Sequence, residues 1–95
     1  MEKLVITRHA ALVDFLIEKG VIEEGNFRLI SHASAEDVKG QEVIGILPLD
    51  LAALAKSITT VPLNVPMEKR GQELSIEDIR QFAGSIKTFV VSEIA

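Results

Sequence analysis

Apolar positions near the start of the chain change from a short β-branched run to helical spacing. The run Lys3–Thr7 is short and rich in β-branched residues, which is typical of a buried strand. Over residues 9–19 apolar side chains recur every fourth position, as at Leu12 and Leu16, and Gly20 follows as a helix stop. This pattern predicts a strand followed directly by a helix.

Further along the chain the same criteria predict three more strands. Turn-forming residues precede each of the first two runs, and all three runs are short and apolar. The predicted strands are Phe27–Ser31, Glu42–Leu47 and Thr60–Val65.

A second helix is predicted to open at Pro48, because proline is well suited to a first helical turn, where its missing N–H costs nothing. Asp50 complements the helix dipole at that end. The buried stripe of this helix is predicted to consist of Leu51, Leu54, Ala55 and Ile58.

The C-terminal segment has two interpretations. Ser75 followed three residues later by Asp78 is a capping signature, so a third helix is predicted to begin there. Its sheet-facing residues are predicted to be Ile76, Ile79, Ala83, Ile86 and Val90. The β-branched residues 88–91 oppose helix formation, however, and the last eight residues, 88–95, also fit an edge strand.

Strands that alternate with helices indicate an α/β fold. We expect one small Rossmann-like domain over residues 1–95, with three or two layers and a mainly parallel sheet of four or five strands. Parallel sheets need both faces covered, so an incompletely covered face would favour a homodimer.

Composition and charge exclude several classes of protein. The chain is 47% hydrophobic and 25% charged, as in ordinary folded proteins, and it has no cysteine for a disulfide or a zinc–sulfur site. No apolar stretch approaches the ~20 residues that span a bilayer, so we expect a cytoplasmic protein without a membrane partner. The net charge of −4 argues against broad binding of long nucleic acid.

Candidate chemistry lies after the predicted strands, because ligands of open α/β sheets bind at the carboxyl ends of the strands. Both histidines of the chain fall there, and two predicted helix N-termini at this edge would favour anions. The candidate ligand-binding residues are Thr7, Arg8, His9, Ser31, His32, Pro48, Asn64, Lys69 and Arg70.

Each candidate has a structural alternative. Arg8 could bind a phosphate and His9 could supply a proton, yet a strand-to-helix junction is often polar simply because it is exposed. Ser31 and His32 are adjacent on a strand and point to opposite faces, so they do not by themselves form a nucleophile–base pair.

The later candidates are equally open. Asn64 could orient a ribose hydroxyl or merely satisfy backbone groups before Pro66. Lys69 and Arg70 could cover a ligand or lie in a solvated turn that pivots at Gly71. The chain has no dinucleotide fingerprint, no P-loop and no metal-binding spacing of histidines and carboxylates, so neither a cofactor nor a metal is expected.

Three ordered blocks resemble a known family. They are Leu4-Val5-Ile6-Thr7-Arg8-His9, Gly45-Ile46-Leu47-Pro48-Leu49-Asp50-Leu51-Ala52-Ala53, and Pro66 through Arg70-Gly71-Gln72-Glu73-Leu74-Ser75. In this order they are similar to the small stand-alone CRISPR-associated proteins of type III systems, which belong with the ring nucleases that act on cyclic oligoadenylate messengers.

The resemblance implies a homodimer with a fold related to the CARF sensor domain, binding cyclic tetraadenylate across its two-fold axis. Its activity would be metal-independent cleavage of the ring, which switches off type III CRISPR signalling, with Arg8 and His9 as catalytic residues. Two alternatives stay open: a sponge or sensor that binds the ring without cutting it, and a structural α/β subunit.

Overall fold

The computed structural model of the protein describes residues 2–94. Its strands are β1 (Lys3–Ile6), β2 (Phe27–Ile30), β3 (Glu42–Ile44), β4 (Ser57–Thr60) and β5 (Lys87–Phe89). Its α-helices are α1 (Ala10–Glu18), α2 (Ala35–Val38), α3 (Leu49–Ala52) and α4 (Ile76–Phe82), and Met67–Lys69 forms a 3₁₀ helix.

The strands form one sheet in the order β2-β1-β3-β4-β5. The first four strands are parallel, and β5 pairs with β4 in the antiparallel direction. The predicted α/β class with a mainly parallel sheet is therefore confirmed, and the domain is Rossmann-like. Because the connection from β1 runs to one side of the sheet and the later connections run to the other, the topological switch point lies between β1 and β3.

Helices cover both faces of the sheet, which gives three layers. Successive residues of a strand point to opposite faces, so Val5 and Leu4 belong to different cores. The face under α1 and α4 buries Val5, Leu12, Phe15, Leu16, Ile22, Ile44, Val61, Leu74 and Ile79. The face under α2 and α3 buries Leu4, Val38, Val43, Ala52, Ala55 and Ile58. In the described part of the chain, the helices on this second face, α2 and α3, have four residues each.

An exposed ion pair joins the two longer helices. Arg80 of α4 donates from Nε to Glu18 Oε2 of α1 at 3.0 Å, and its Nη2 contacts Oε1 of the same carboxylate. Hydrogen bonding to Arg80 lowers the pKa of Glu18 and raises that of Arg80. The pair thus links elements that are far apart in the sequence but adjacent on one face of the sheet.

The predicted boundaries between residues 48 and 65 are wrong. The helix after Pro48 ends at Ala52, and Ile58 lies in β4, where it pairs with Val43 of β3. Pairing with a buried strand thus overrides the helical spacing of the apolar residues. The strand predicted over 60–65 lies instead at Ser57–Thr60, where it pairs with β3.

The C-terminal helix is shorter than predicted. Residue 83 is extended (φ −70°, ψ 132°), so α4 ends at Phe82 and does not reach Val90. The edge-strand alternative is confirmed for residues 88 and 89, which belong to β5, whereas 90–94 have no regular secondary structure. Residue 95 lies outside the described residues.

The prediction omitted α2, a helix of four residues. Its start carries the same signature as α4, because the backbone N–H of Ser34 donates to Asp37 Oδ2 at 2.8 Å. This hydrogen bond lowers the pKa of Asp37. One helical turn is too short to show an apolar period, so only the capping pair indicated it.

Strand β3 ends at Ile44, earlier than the predicted Leu47, and Gly45 marks the end. Gly45 has φ +148°, and a Cβ added there would lie 2.6 Å from the carbonyl oxygen of Ile6. The backbone after β3 therefore passes against the end of β1, which only glycine permits.

We expect Gly45→Ala to lower the free energy of unfolding more than Gly25→Ala. Gly25 also has a positive φ (+80°), but an added methyl group there meets no atom within 4 Å. Gly25→Ala should cost about 1–2 kcal/mol for the left-handed backbone alone, whereas Gly45→Ala adds overlap with Ile6. Urea unfolding of both variants tests this, and equal losses would contradict the close approach.

Candidate functional site

The candidate site begins where β1 and β2 end side by side. Ile6 pairs with Ile30, and the N–H of Thr7 continues the ladder by donating to the Ile30 carbonyl at 3.1 Å. Because the strands are parallel and in register, Arg8 and His32 both stand two positions beyond a strand end. The pairing therefore brings these two residues together.

Arg8 and His32 are in direct contact. Arg8 Nη2 lies 2.8 Å from His32 Nε2 on the exposed surface. A guanidinium group can only donate, so Nε2 accepts this hydrogen bond and carries no proton. His32 thereby holds the Arg8 side chain at the end of the sheet.

A cavity of about 310 Å³ lies beside this pair, at the switch point between β1 and β3. Its apolar lining comes from both strands and from the segment after β4, and includes Ile6, Ile44, Val61 and Leu63. Its polar lining consists of Thr7, Arg8, His9 and Ser31. Such a position is where doubly wound sheets bind their ligands.

Two further hollows adjoin the cavity. An open groove of about 620 Å³ runs between Arg8, His9 and the loop residues 71–73. A smaller pocket of about 170 Å³ lies under that loop and is lined by His9, Lys69 and Arg70, among others. His9 lines all three hollows, and we call the three together the strand-end trough.

His9 occupies the N-cap position of α1. Its backbone N–H donates to Thr7 Oγ1 at 3.1 Å, and its side chain is half-buried. The first turn of α1 has no acidic residue. The free N–H groups and the dipole of this nine-residue helix therefore favour an anion beside His9.

The loop over the trough is attached to α4. Lys69 Nζ lies 2.8 Å from Asp78 Oδ1, while Asp78 Oδ2 accepts from the N–H of Ser75 at 3.1 Å. These contacts, the one from Lys69 above all, lower the pKa of Asp78. Lys69 Nζ also lies 5.9 Å from the centre of the Phe82 ring. Lys69 thus attaches the loop to α4. The neighbouring Arg70 donates from Nε to the Val65 carbonyl at 3.3 Å.

The structure brings most of the predicted site residues together. Those that line the strand-end trough are Thr7, Arg8, His9, Ser31, Lys69 and Arg70. His32 reaches it only through Arg8. Pro48 and Asn64 do not line it; Pro48 precedes α3, and the N–H of Asn64 donates to the Phe82 carbonyl at 2.9 Å.

Trough residues that were not predicted as candidates include Gly45, Ile46, Gln72 and Glu73. The sequence pattern predicts that β3 continues to Leu47, so it places the residue after this strand at Pro48 and not at Gly45 or Ile46. A glycine inside a strand pattern is a sign of close backbone approach and could have located that end. The sequence carries no comparable signal for the two loop residues.

Within residues 2–94, no three histidine, aspartate or glutamate side chains are grouped as metal ligands. No helix in this range is both long enough and apolar enough to cross a membrane.

Fold and site together define a doubly wound α/β protein with an anion-favouring trough at its switch point. Residues 4–92 match the family model described as "Putative CRISPR-associated protein (Cas_VVA1548)". The chain belongs to this CRISPR-associated family. Searches of curated proteins and of solved structures gave no match.

We predict that Lys69→Met destabilises the protein at neutral pH and that this loss shrinks in acid. The folded-state pKa of Asp78 lies below its ordinary value of 3.8. Its contribution to stability is therefore complete above pH 3.8 and disappears as the pH falls through the lower folded-state value. Urea unfolding of the variant and the wild type across this range measures the difference.

Lys39→Met is the matched control, because it removes an exposed lysine at the end of α2. A Lys69→Met deficit that stays constant from neutral pH into acid would show that Asp78 does not depend on Lys69.

Proposed function

We propose that this protein is a ring nuclease that binds a cyclic oligoadenylate, with cyclic tetraadenylate as the first candidate, and cleaves it without a metal ion. By doing so it would switch off type III CRISPR signalling. One observation carries the proposal: Arg8, His9 and the N-terminus of α1 share one trough at the switch point of a CRISPR-associated chain.

Phosphate binding is supported by local charge. The protein as a whole is acidic, with a net charge of −4, yet Arg8 and Arg70 border the trough. The trough also carries Lys69, which is paired with Asp78, and the carboxylate of Glu73. Arg8 offers guanidinium donors suited to phosphate oxygens, and the α1 dipole adds to the local positive field. A compact anion can therefore bind where long nucleic acid would be repelled.

In the proposed reaction a ribose 2′-oxygen attacks the phosphorus of its own 3′-phosphate. The bond from phosphorus to the 5′-oxygen of the next nucleotide breaks, which leaves a 2′,3′-cyclic phosphate and a 5′-hydroxyl. The 2′-hydroxyl loses a proton and the leaving oxygen gains one, so the step is balanced without a protein nucleophile. The protein positions the ring and stabilises the developing charge.

The trough supplies groups for each of these tasks. Arg8 stabilises the negative charge at phosphorus, and His9 serves as proton acceptor for the 2′-hydroxyl or proton donor to the leaving oxygen. Thr7 and Ser31 offer hydroxyl groups to the ribose or phosphate, and Arg70 covers the ring from the loop. Asn64 lies outside the trough, so the scheme gives it no role.

A homodimer is part of the proposal. Ile46 lines the cavity and is 84% exposed, and Leu49 just beyond it is 76% exposed. A second copy facing these strand ends would cover both apolar side chains. It would also present an equal half-site to a cyclic ligand with equivalent halves, as in a CARF-related dimer.

The test is to incubate the protein with a large molar excess of cyclic tetraadenylate, with and without EDTA, and to resolve the products by chromatography and mass. We expect complete conversion in EDTA to linear adenylates with a 2′,3′-cyclic phosphate. Intact ligand bound at a stoichiometric ratio would instead indicate a sponge or sensor, and failure to bind would indicate a structural subunit.

Arg8→Ala should reduce the cleavage rate by about 10²- to 10³-fold, the usual loss for one electrostatic contact to a transition state. Arg28→Ala is the control, because Arg28 is an exposed arginine of β2 that does not line the trough. It should cleave at the wild-type rate. Wild-type cleavage by Arg8→Ala would remove Arg8 from the mechanism.

A further inference from the structure

Strand β5 forms one edge of the sheet, and apolar side chains are exposed along it. Within the described residues β5 pairs with β4 alone. Phe89 is 48% exposed and Val90 is 76% exposed. An edge strand of this composition offers unpaired backbone groups to another strand.

The alternation of β5 continues as far as Val91, although β5 itself ends at Phe89. Phe89 lies opposite Ile58, and Val91 packs against the same core as Ile58. Residues 89 and 91 therefore share one face of the sheet. Thr88 points to the other face, where its Oγ1 lies 2.8 Å from Thr59 Oγ1. From Thr88 to Val91, odd-numbered residues share the α2–α3 face and even-numbered residues take the opposite face, and an extended continuation to residue 93 would keep this alternation.

This alternation limits how two copies of the edge can pair. A two-fold axis perpendicular to the sheet makes the two edges antiparallel and leaves each face on its own side. Residues that oppose one another must then share a face, so the axis must pass through a residue position and not between two.

Only a centre at Val90 makes the segment complementary to itself. The sequence from 87 to 93 is Lys-Thr-Phe-Val-Val-Ser-Glu. Centring on Val90 opposes Lys87 to Glu93, Thr88 to Ser92 and Phe89 to Val91, with Val90 against its own copy. Opposite charges, two hydroxyls and an aromatic with a β-branched residue are all favourable cross-strand pairs.

We propose that residues 87–93 bind the same segment of a second copy of this chain as antiparallel strands, joining two sheets into one of ten strands. Lysine on an edge strand normally discourages such pairing. Here Glu93 of the partner neutralises Lys87, so the edge excludes other strands while accepting its own copy. Charge complementarity therefore selects a second copy as the occupant.

This contact is independent of the proposed function. The strand-end trough lies at the carboxyl ends of β1 and β3, whereas the edge contact runs along the side of β5. Its two-fold axis places the two troughs at opposite ends of the joined sheet. A nucleotide ring shared between troughs would need a separate contact, and a chain that uses both contacts would assemble beyond a dimer.

Charge reversal tests the edge contact through the mass of the full-length protein in solution, measured by light scattering at low salt without nucleotide. We expect the wild type to be a dimer or larger. Lys87→Glu opposes two carboxylates in each of two symmetric pairs, and Glu93→Lys opposes two ammonium groups, so each variant should lower the mass by loss of the edge contact. The double variant restores opposite charges and should recover the wild-type mass.

Lys39→Glu and Glu24→Lys make the same charge changes at exposed positions away from β5 and should leave the mass unchanged. Val90→Pro should also lower the mass by loss of the edge contact, and circular dichroism of each variant shows whether the fold is retained. A monomeric wild type, single variants of wild-type mass, or a double variant that remains dissociated would each overturn the proposal.

Discussion

Strand β1 is paired on both sides, with β2 and with β3, and this double pairing determines where the candidate site lies. Registration with β2 places Arg8 opposite His32. Registration with β3 brings Gly45 against the carbonyl of Ile6 and leaves a cavity just beyond. Backbone hydrogen bonding in the interior of the sheet thus determines where the trough lies. The polar side chains supply only its lining.

Local patterns predicted the elements whose partners do not alter them. Strand β1 and helix α1 lie within one residue of their predicted ends, and Ser75 begins α4 as its capping pair indicated. Between residues 45 and 65 the secondary structure depends on β3, because Ser57–Thr60 forms a strand by pairing with it. The apolar spacing within one segment does not show which strand that segment pairs with. A short apolar stretch fits a helix or a strand until its pairing partner is known.

The site was predictable to the extent that strand ends were. Thr7, Arg8 and His9 follow a correctly predicted strand and line the trough. Pro48 and Asn64 do not, because the strand before Pro48 ends earlier than predicted and the strand near Asn64 lies earlier in the chain. The loop contribution rests on side chains that meet across the fold, such as Lys69 on Asp78. Such a contact depends on tertiary packing, so the spacing of residues in the sequence does not predict it.

The central position of β1 also affects how the protein is made. This strand leaves the ribosome before either neighbour, and Leu4 cannot meet Val43 until the residues of β3 have been synthesised. Until then one edge of the most apolar strand is open to other nascent chains. Early pairing with β2 and cover by α1 protect only part of it. The open edge of β1 is therefore covered only once β3 has paired with it.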